Sequence, residues 1–140
     1  MDQAQYNAAV GFLRRSLAET EWYNAGQLLA YQRNQLGQLL RFSAANVPYY
    51  RERLEAVLRP DGEIDWRGWT DIPLIDREEM KTRGADMMAP HLPPGHGDVH
   101  RQVSSGTTGS PVTVYCSTVM DLAGSAAFER ACRWYGASPR

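Results

Sequence analysis

Residues Ser104-Ser105-Gly106-Thr107-Thr108-Gly109-Ser110-Pro111 constrain this chain more than any other stretch. The run holds five hydroxyl side chains, two glycines and one proline, and no bulky apolar group. Such a segment cannot help to fill a core, so the chain must carry it at the surface between elements that can. The flanking residues, His100-Arg101-Gln102-Val103 before and Val112-Thr113-Val114-Tyr115-Cys116 after, read as strands. The expectation is therefore a strand, a polar loop and a strand, paired as a hairpin. Glycine permits positive φ and close approach of backbone, so the loop is able to wrap N–H and hydroxyl donors around an anion.

Two familiar phosphate loops do not fit. A Walker loop places four residues between its glycines and follows them with lysine, whereas Gly106 and Gly109 are three apart and Ser110 follows. A dinucleotide fingerprint needs three glycines opening a helix. By composition alone, a polar surface hairpin accounts for the run equally well.

The order of the residues is more specific. Ser-Ser-Gly-Thr-Thr-Gly-x-Pro resembles the first phosphate-binding motif of the adenylate-forming ligases, in the branch of phenylacetate–coenzyme A ligase-like and CapK-like proteins. Three further segments resemble the same branch at compatible spacing. They are Asn46-Val47-Pro48-Tyr49-Tyr50-Arg51-Glu52-Arg53-Leu54; then Asp71-Ile72-Pro73-Leu74-Ile75-Asp76-Arg77-Glu78-Glu79-Met80, with Arg77 where lysine is usual; and Tyr115, Thr118-Val119-Met120-Asp121-Leu122 and Gly136 after the loop. The resemblance covers roughly residues 25–140.

It implies an α/β fold in which a helical N-terminal subdomain, residues 1–97, precedes the start of the sheet of an AMP-binding large domain, residues 98–140. It implies an ATP-dependent ligase that joins a small carboxylate to AMP, releases pyrophosphate and passes the acyl group to coenzyme A or another acceptor. Ser104, Ser105, Gly106, Thr107, Thr108 and Gly109 would hold the β- and γ-phosphates of ATP, with magnesium accompanying the nucleotide. Many members carry lysine where Ser110 stands, so one phosphate-facing charge is missing here. The family's acidic metal-binding segment, ribose-binding aspartate and C-terminal catalytic lysine match no position of this sequence. No catalytic residue is assigned, and Lys81, the single lysine, falls on an ordinary helix. The expectation is an N-terminal portion of such a ligase, inactive by itself. A stand-alone interaction module and the remnant of a truncated ligase gene are the alternatives. A homodimer is compatible with the resemblance.

Composition bounds the rest. Hydrophobic residues make up 43% of the chain and the formal net charge is −1, which excludes disorder and bulk electrostatic binding of nucleic acid. No apolar run approaches the length of a membrane span. The opening Met1-Asp2-Gln3-Ala4-Gln5 lacks a basic and then apolar signal pattern, and Cys116 and Cys132 form no CxxC, so free thiols in the cytoplasm are expected. His91, His96 and His100, five and four apart, match no compact zinc pattern, and they read as exposed loop histidines.

Periodicity predicts a first helix capped by Asp2, with Tyr6, Val10, Leu13 and Leu17 on one face. A second helix, about 25–45, carries an apolar stripe of Leu28, Leu29, Leu36, Leu39 and Leu40. Pro48 opens a third, running to about Leu58, and Pro60-Asp61-Gly62 turns the chain. Residues 60–75 read as a loop anchored by Trp66 and Trp69. Asp76 and Glu79 form a capping box for a short helix to about Arg83. Ser117 or Thr118 caps a last helix that ends near Gly136, with Phe128, Cys132 and Tyr135 on one face.

Overall fold

Side-chain chemistry near each end sets most helix boundaries. The computed structural model describes residues 1–104 and 111–137. Its elements are α1 (Gln3–Thr20), α2 (Ala25–Asn46), α3 (Pro48–Arg53), a 3-10 turn (Trp66–Asp71), α4 (Arg77–Arg83), β1 (Val99–Val103), β2 (Thr113–Ser117) and α5 (Thr118–Trp134). The class is mixed α/β, helices with a small two-stranded antiparallel sheet. Asp2 caps α1 in a full capping box with Gln5. Asn24 and Gln27 do the same for α2, each side chain accepting from the other's backbone N–H at 3.0 Å. Ser117 caps α5 by accepting from Met120 N–H. At its far end Gly136, at φ 64°, closes a Schellman motif: Ala137 N–H donates to Cys132 O at 2.9 Å and Gly136 N–H to Arg133 O at 3.1 Å.

By contacts the chain divides into two compact units. One comprises Met1–Leu28, Pro93–Gln102 and the described residues from Tyr115 onward. Here α1 packs on α5. Arg14 bonds Glu129 through two nitrogens at 2.9 and 2.8 Å, and Trp134 Nε1 donates to Glu21. Partners advance together along both helices, so the two run parallel. They flank a cleft of about 450 Å³ lined by α1 residues from Tyr6 to Arg14 and by Leu122, Ser125, Ala126 and Glu129 of α5. On α5 Phe128 is 64% exposed, and Tyr135 at the C-cap is 87% exposed. The buried positions of α5 are Leu122 and Ala126, which line the cleft opposite α1.

The other unit comprises Leu29–Leu92 and the described residues of Val103–Val114. Its core is Leu40, Ala44, Leu54 and Val57, against which Tyr50, Leu58, Ile64, Trp66 and Ile72 pack. Burying such Leu and Val side chains contributes about 1.5–3 kcal/mol each. The buried positions of α2 are Gly37, Leu40 and Ala44. The expected stripe is displaced: Leu28, Leu29 and Leu39 are exposed and Leu36 is half-buried. The choice of face is made by the turns that follow, which supply Leu54 and Val57.

α3 also ends sooner than Leu58. Past Arg53 the bonding tightens to i→i−3 turns, Glu55 N–H taking the Glu52 carbonyl at 3.2 Å and Val57 N–H the Leu54 carbonyl at 3.0 Å. The chain then reverses, Leu58 pairing with Ile64 in an isolated antiparallel bridge and Asp65 N–H taking the Val57 carbonyl at 2.8 Å. Inside residues 60–75 the stretch Trp66–Asp71 is a 3-10 turn rather than plain loop. Asp65 builds it by accepting from Arg67 N–H, and Trp66 reaches the core while Arg33 of α2 lies 5.6 Å from its ring centroid. The Asp76 cap is half of the expected box. Asp76 accepts from Glu79 N–H at 2.7 Å, but the Glu79 carboxylate is taken by Arg53.

Asp65 also gives a pH dependence. Arg67 foremost, then Arg59, hydrogen-bond its carboxylate and hold it well below the usual carboxylate range. A depressed folded-state value means a contribution fully present above the unfolded value of about 3.9 and lost as pH falls through the folded one. Acidification from pH 7 should therefore lower the urea midpoint, and Asp65→Asn, which keeps an acceptor for Arg67 N–H, should blunt the fall. An equal fall in both chains would remove Asp65 as a cause.

Candidate functional site

β1 and β2 pair around the polar run, as the flanking residues predict. The pairing is closed by Ser104 and Val112. Ser104 N–H donates to Val112 O at 2.9 Å, and Val112 N–H donates to Ser104 Oγ at 2.9 Å. A serine side chain thus stands in for the backbone carbonyl that a regular ladder would use. Val112 is buried, so an unmet N–H there would cost about 1–3 kcal/mol. A hydroxyl that accepts in this way keeps its own proton to donate. Ser104 is therefore both the clamp at the base of the hairpin and a donor at the start of the polar run. Of the six residues expected to hold phosphate, Ser104 is the one described; Ser105, Gly106, Thr107, Thr108 and Gly109 lie outside the described residues.

A helix N-terminus is the other common seat for a phosphate. That of α5 is already used. Thr118 N–H donates to Asp98 O at 3.0 Å, Val119 N–H to His96 O at 3.2 Å and Met120 N–H to Ser117 Oγ at 3.3 Å. Thr118 Oγ1 in turn accepts from Asp98 N–H at 3.1 Å. These bonds tie residues 96–98 to the helix start and leave the first N–H groups no ligand role.

A second concavity, about 630 Å³, is lined by Pro48, Tyr49, Glu52, Arg53, Pro73, Arg83 and Asp86. The Arg53 and Arg83 guanidiniums lie 4.6 and 4.8 Å from the Tyr49 ring centroid. Tyr49 is only 4% exposed, and its hydroxyl has no hydrogen-bond partner among the described residues. Burial, and next the neighbouring Glu79 carboxylate, push the phenol above its ordinary value, so it stays protonated at neutral pH. Arg53 is fully engaged by Glu79 and by the carbonyls of Pro73 and Leu74, while Arg83 is held by Asp86. The cluster pins α4 and the 73–74 segment to α3. Its charges answer one another rather than a ligand.

Among the described residues no three His, Cys, Asp or Glu side chains come together, both cysteines are free thiols, and no helix is long and apolar enough to cross a membrane. No protein-family model, no curated protein and no solved structure matches the chain.

Proposed function

We propose that this chain supplies the ATP-phosphate loop of an adenylate-forming ligase of the phenylacetate–coenzyme A ligase-like and CapK-like branch. The observation that carries the reading is the residue order Ser104 to Gly109, which in sequence lies between the paired strands β1 and β2. In such a ligase a carboxylate oxygen attacks the α-phosphorus of ATP, the bond to the β-phosphate breaks, and pyrophosphate leaves. Negative charge grows on the departing phosphates, and donors aimed at them stabilise it. The run offers hydroxyls at Ser104, Ser105, Thr107 and Thr108 and backbone N–H groups at Gly106 and Gly109. It contains no carboxylate, so its chemistry fits the phosphates themselves; magnesium would arrive with ATP as part of the substrate. Coenzyme A is the proposed acyl acceptor class, and a cytoplasmic location, where ATP and free thiols coexist, belongs to the same proposal. The Ser104–Val112 clamp supports the reading, because it fixes both ends of the run and lowers the ordering cost of binding.

The test is equilibrium binding of ATP, ADP and AMP with magnesium. A loop that grips the β- and γ-phosphates should bind ATP over ADP by about tenfold, the worth of one charge-assisted hydrogen bond of about 1.5 kcal/mol, and AMP least. Inorganic tripolyphosphate should compete. Equal affinity for all three nucleotides would contradict the proposal.

A further inference from the structure

We infer that the outer face of α5 is the seam of an antiparallel homodimer, in which Trp134 of each copy fills the open space above Gly124 of the other. The inference is independent of the ligase reading.

α5 has two sides. Leu122, Ala126 and Glu129 line the cleft toward α1. Away from that cleft lie Met120, Gly124, Ala127, Ala131 and Trp134, which follow one another at spacings of four, three, four and three. That alternation is the seam spacing of a two-helix coiled coil. Phe128 and Tyr135 flank the seam, each one position after a seam residue. Met120 is 59% exposed, and the three aromatics are 58–87% exposed. At about 150–250 Å² per aromatic side chain, these three rings leave roughly 400 Å² of surface on one helix. A contiguous patch of that size marks an interaction site. Two such faces set together, with Met120 and the alanines, remove up to about 1,000 Å², the lower bound for a specific interface. The association is therefore weak and concentration-dependent.

The face is complementary to itself. A Cβ added at Gly124 would meet nothing within 4 Å, so the helix is open there. Trp134, the bulkiest side chain of the seam, stands ten residues further on, about 15 Å along the axis. A two-fold axis at position 129 sets each Trp134 over Gly124 of the other copy and each Ala127 against Ala131. Bulk then meets a gap at both ends of the contact, and alanine meets alanine between them, where the backbones come close. Every contact occurs twice, as an isologous interface requires. A parallel pair would set Trp134 on Trp134 and Gly124 on Gly124, and would leave a void. Trp134 is held in place beforehand: its Nε1 donates to Glu21, and the Arg130 guanidinium lies 5.0 Å from its ring centroid. Arg130 borders the seam, and the two-fold brings it toward its own copy, so salt should tighten the dimer by screening that pair.

The experiment is sedimentation equilibrium of the full chain with a thiol reductant, from about 5 to about 500 µM, the range in which a weak interface shows itself. A monomer–dimer equilibrium is expected. Gly124→Leu should raise the dimer dissociation constant at least about tenfold, because the added side chain occupies the seat of Trp134. Open space around Gly124 lets the folded chain accept it, and circular dichroism checks that α5 persists. Non-specific sticking of apolar surface predicts the opposite, since leucine adds apolar area. Phe128→Asp should also weaken the dimer, and Leu39→Asp, on the exposed side of α2, should leave it unchanged. A monomer at every concentration, equal or stronger association of Gly124→Leu, or loss of the dimer in Leu39→Asp with Phe128→Asp unaffected, would each overturn the assignment.

Discussion

Replacing Gly68 with alanine is expected to lower the stability of the Leu29–Leu92 unit by about 3 kcal/mol, the upper part of the usual range for overpacking. Local propensity argues the other way, since alanine in place of glycine stabilises a helical turn by about 0.5–1 kcal/mol. Packing decides the sign. A Cβ at Gly68 would stand 2.1 Å from the carbonyl oxygen of Ala56 and 3.0 Å from its carbonyl carbon. Both are backbone atoms, and no side-chain rotation relieves the clash. The 3-10 turn would have to lift away, taking Trp66 off Leu54 and Val57. Urea unfolding followed by tryptophan fluorescence measures the effect. An unchanged or raised midpoint would mean that the turn does not rest on the 54–57 backbone.

Leu54→Ala should cost about 2–5 kcal/mol, while Leu39→Ala should change stability by less than about 0.5 kcal/mol. Leu54 is 4% exposed within the core cluster, and Val57 beside it is 1% exposed. Truncation there removes buried methyl groups and leaves a cavity that the surrounding helices fill only in part. Leu39 lies on the same helix as Leu40 but is 57% exposed. The contrast between the two variants, read in one urea series, tests which face of α2 is buried. Comparable losses would restore the wider leucine stripe that periodicity suggests.

What the sequence reveals of this fold is what neighbouring residues decide between themselves. Asp2, Asp76, Ser117 and Gly136 work as caps within four residues of their own positions, and each does so here. The strand pair around the polar run is legible for the same reason, because β1 and β2 are close in sequence. Features that depend on distant partners are not. The chain reversal after α3 depends on Ile64 and Asp65, the Glu79 side chain on Arg53 of another helix, and the buried face of α2 on Leu54 and Val57. On α5 the buried residues are Leu122 and Ala126, which line the cleft opposite α1, while Phe128 is exposed. The Ser104 side-chain clamp escapes any reading of strand periodicity, since it replaces a backbone acceptor with a side-chain one.

The phosphate-loop reading is tested most directly by titrating the uniformly ¹⁵N-labelled chain with magnesium tripolyphosphate and mapping the backbone amide shifts. The account predicts saturable shifts concentrated at Ser104 to Gly109, largest at Gly106 and Gly109, with the first-turn amides of α5 unmoved because their donors are already spent. Shifts spread over the arginine-rich surface, or centred on α5 with residues 104–109 silent, would contradict it.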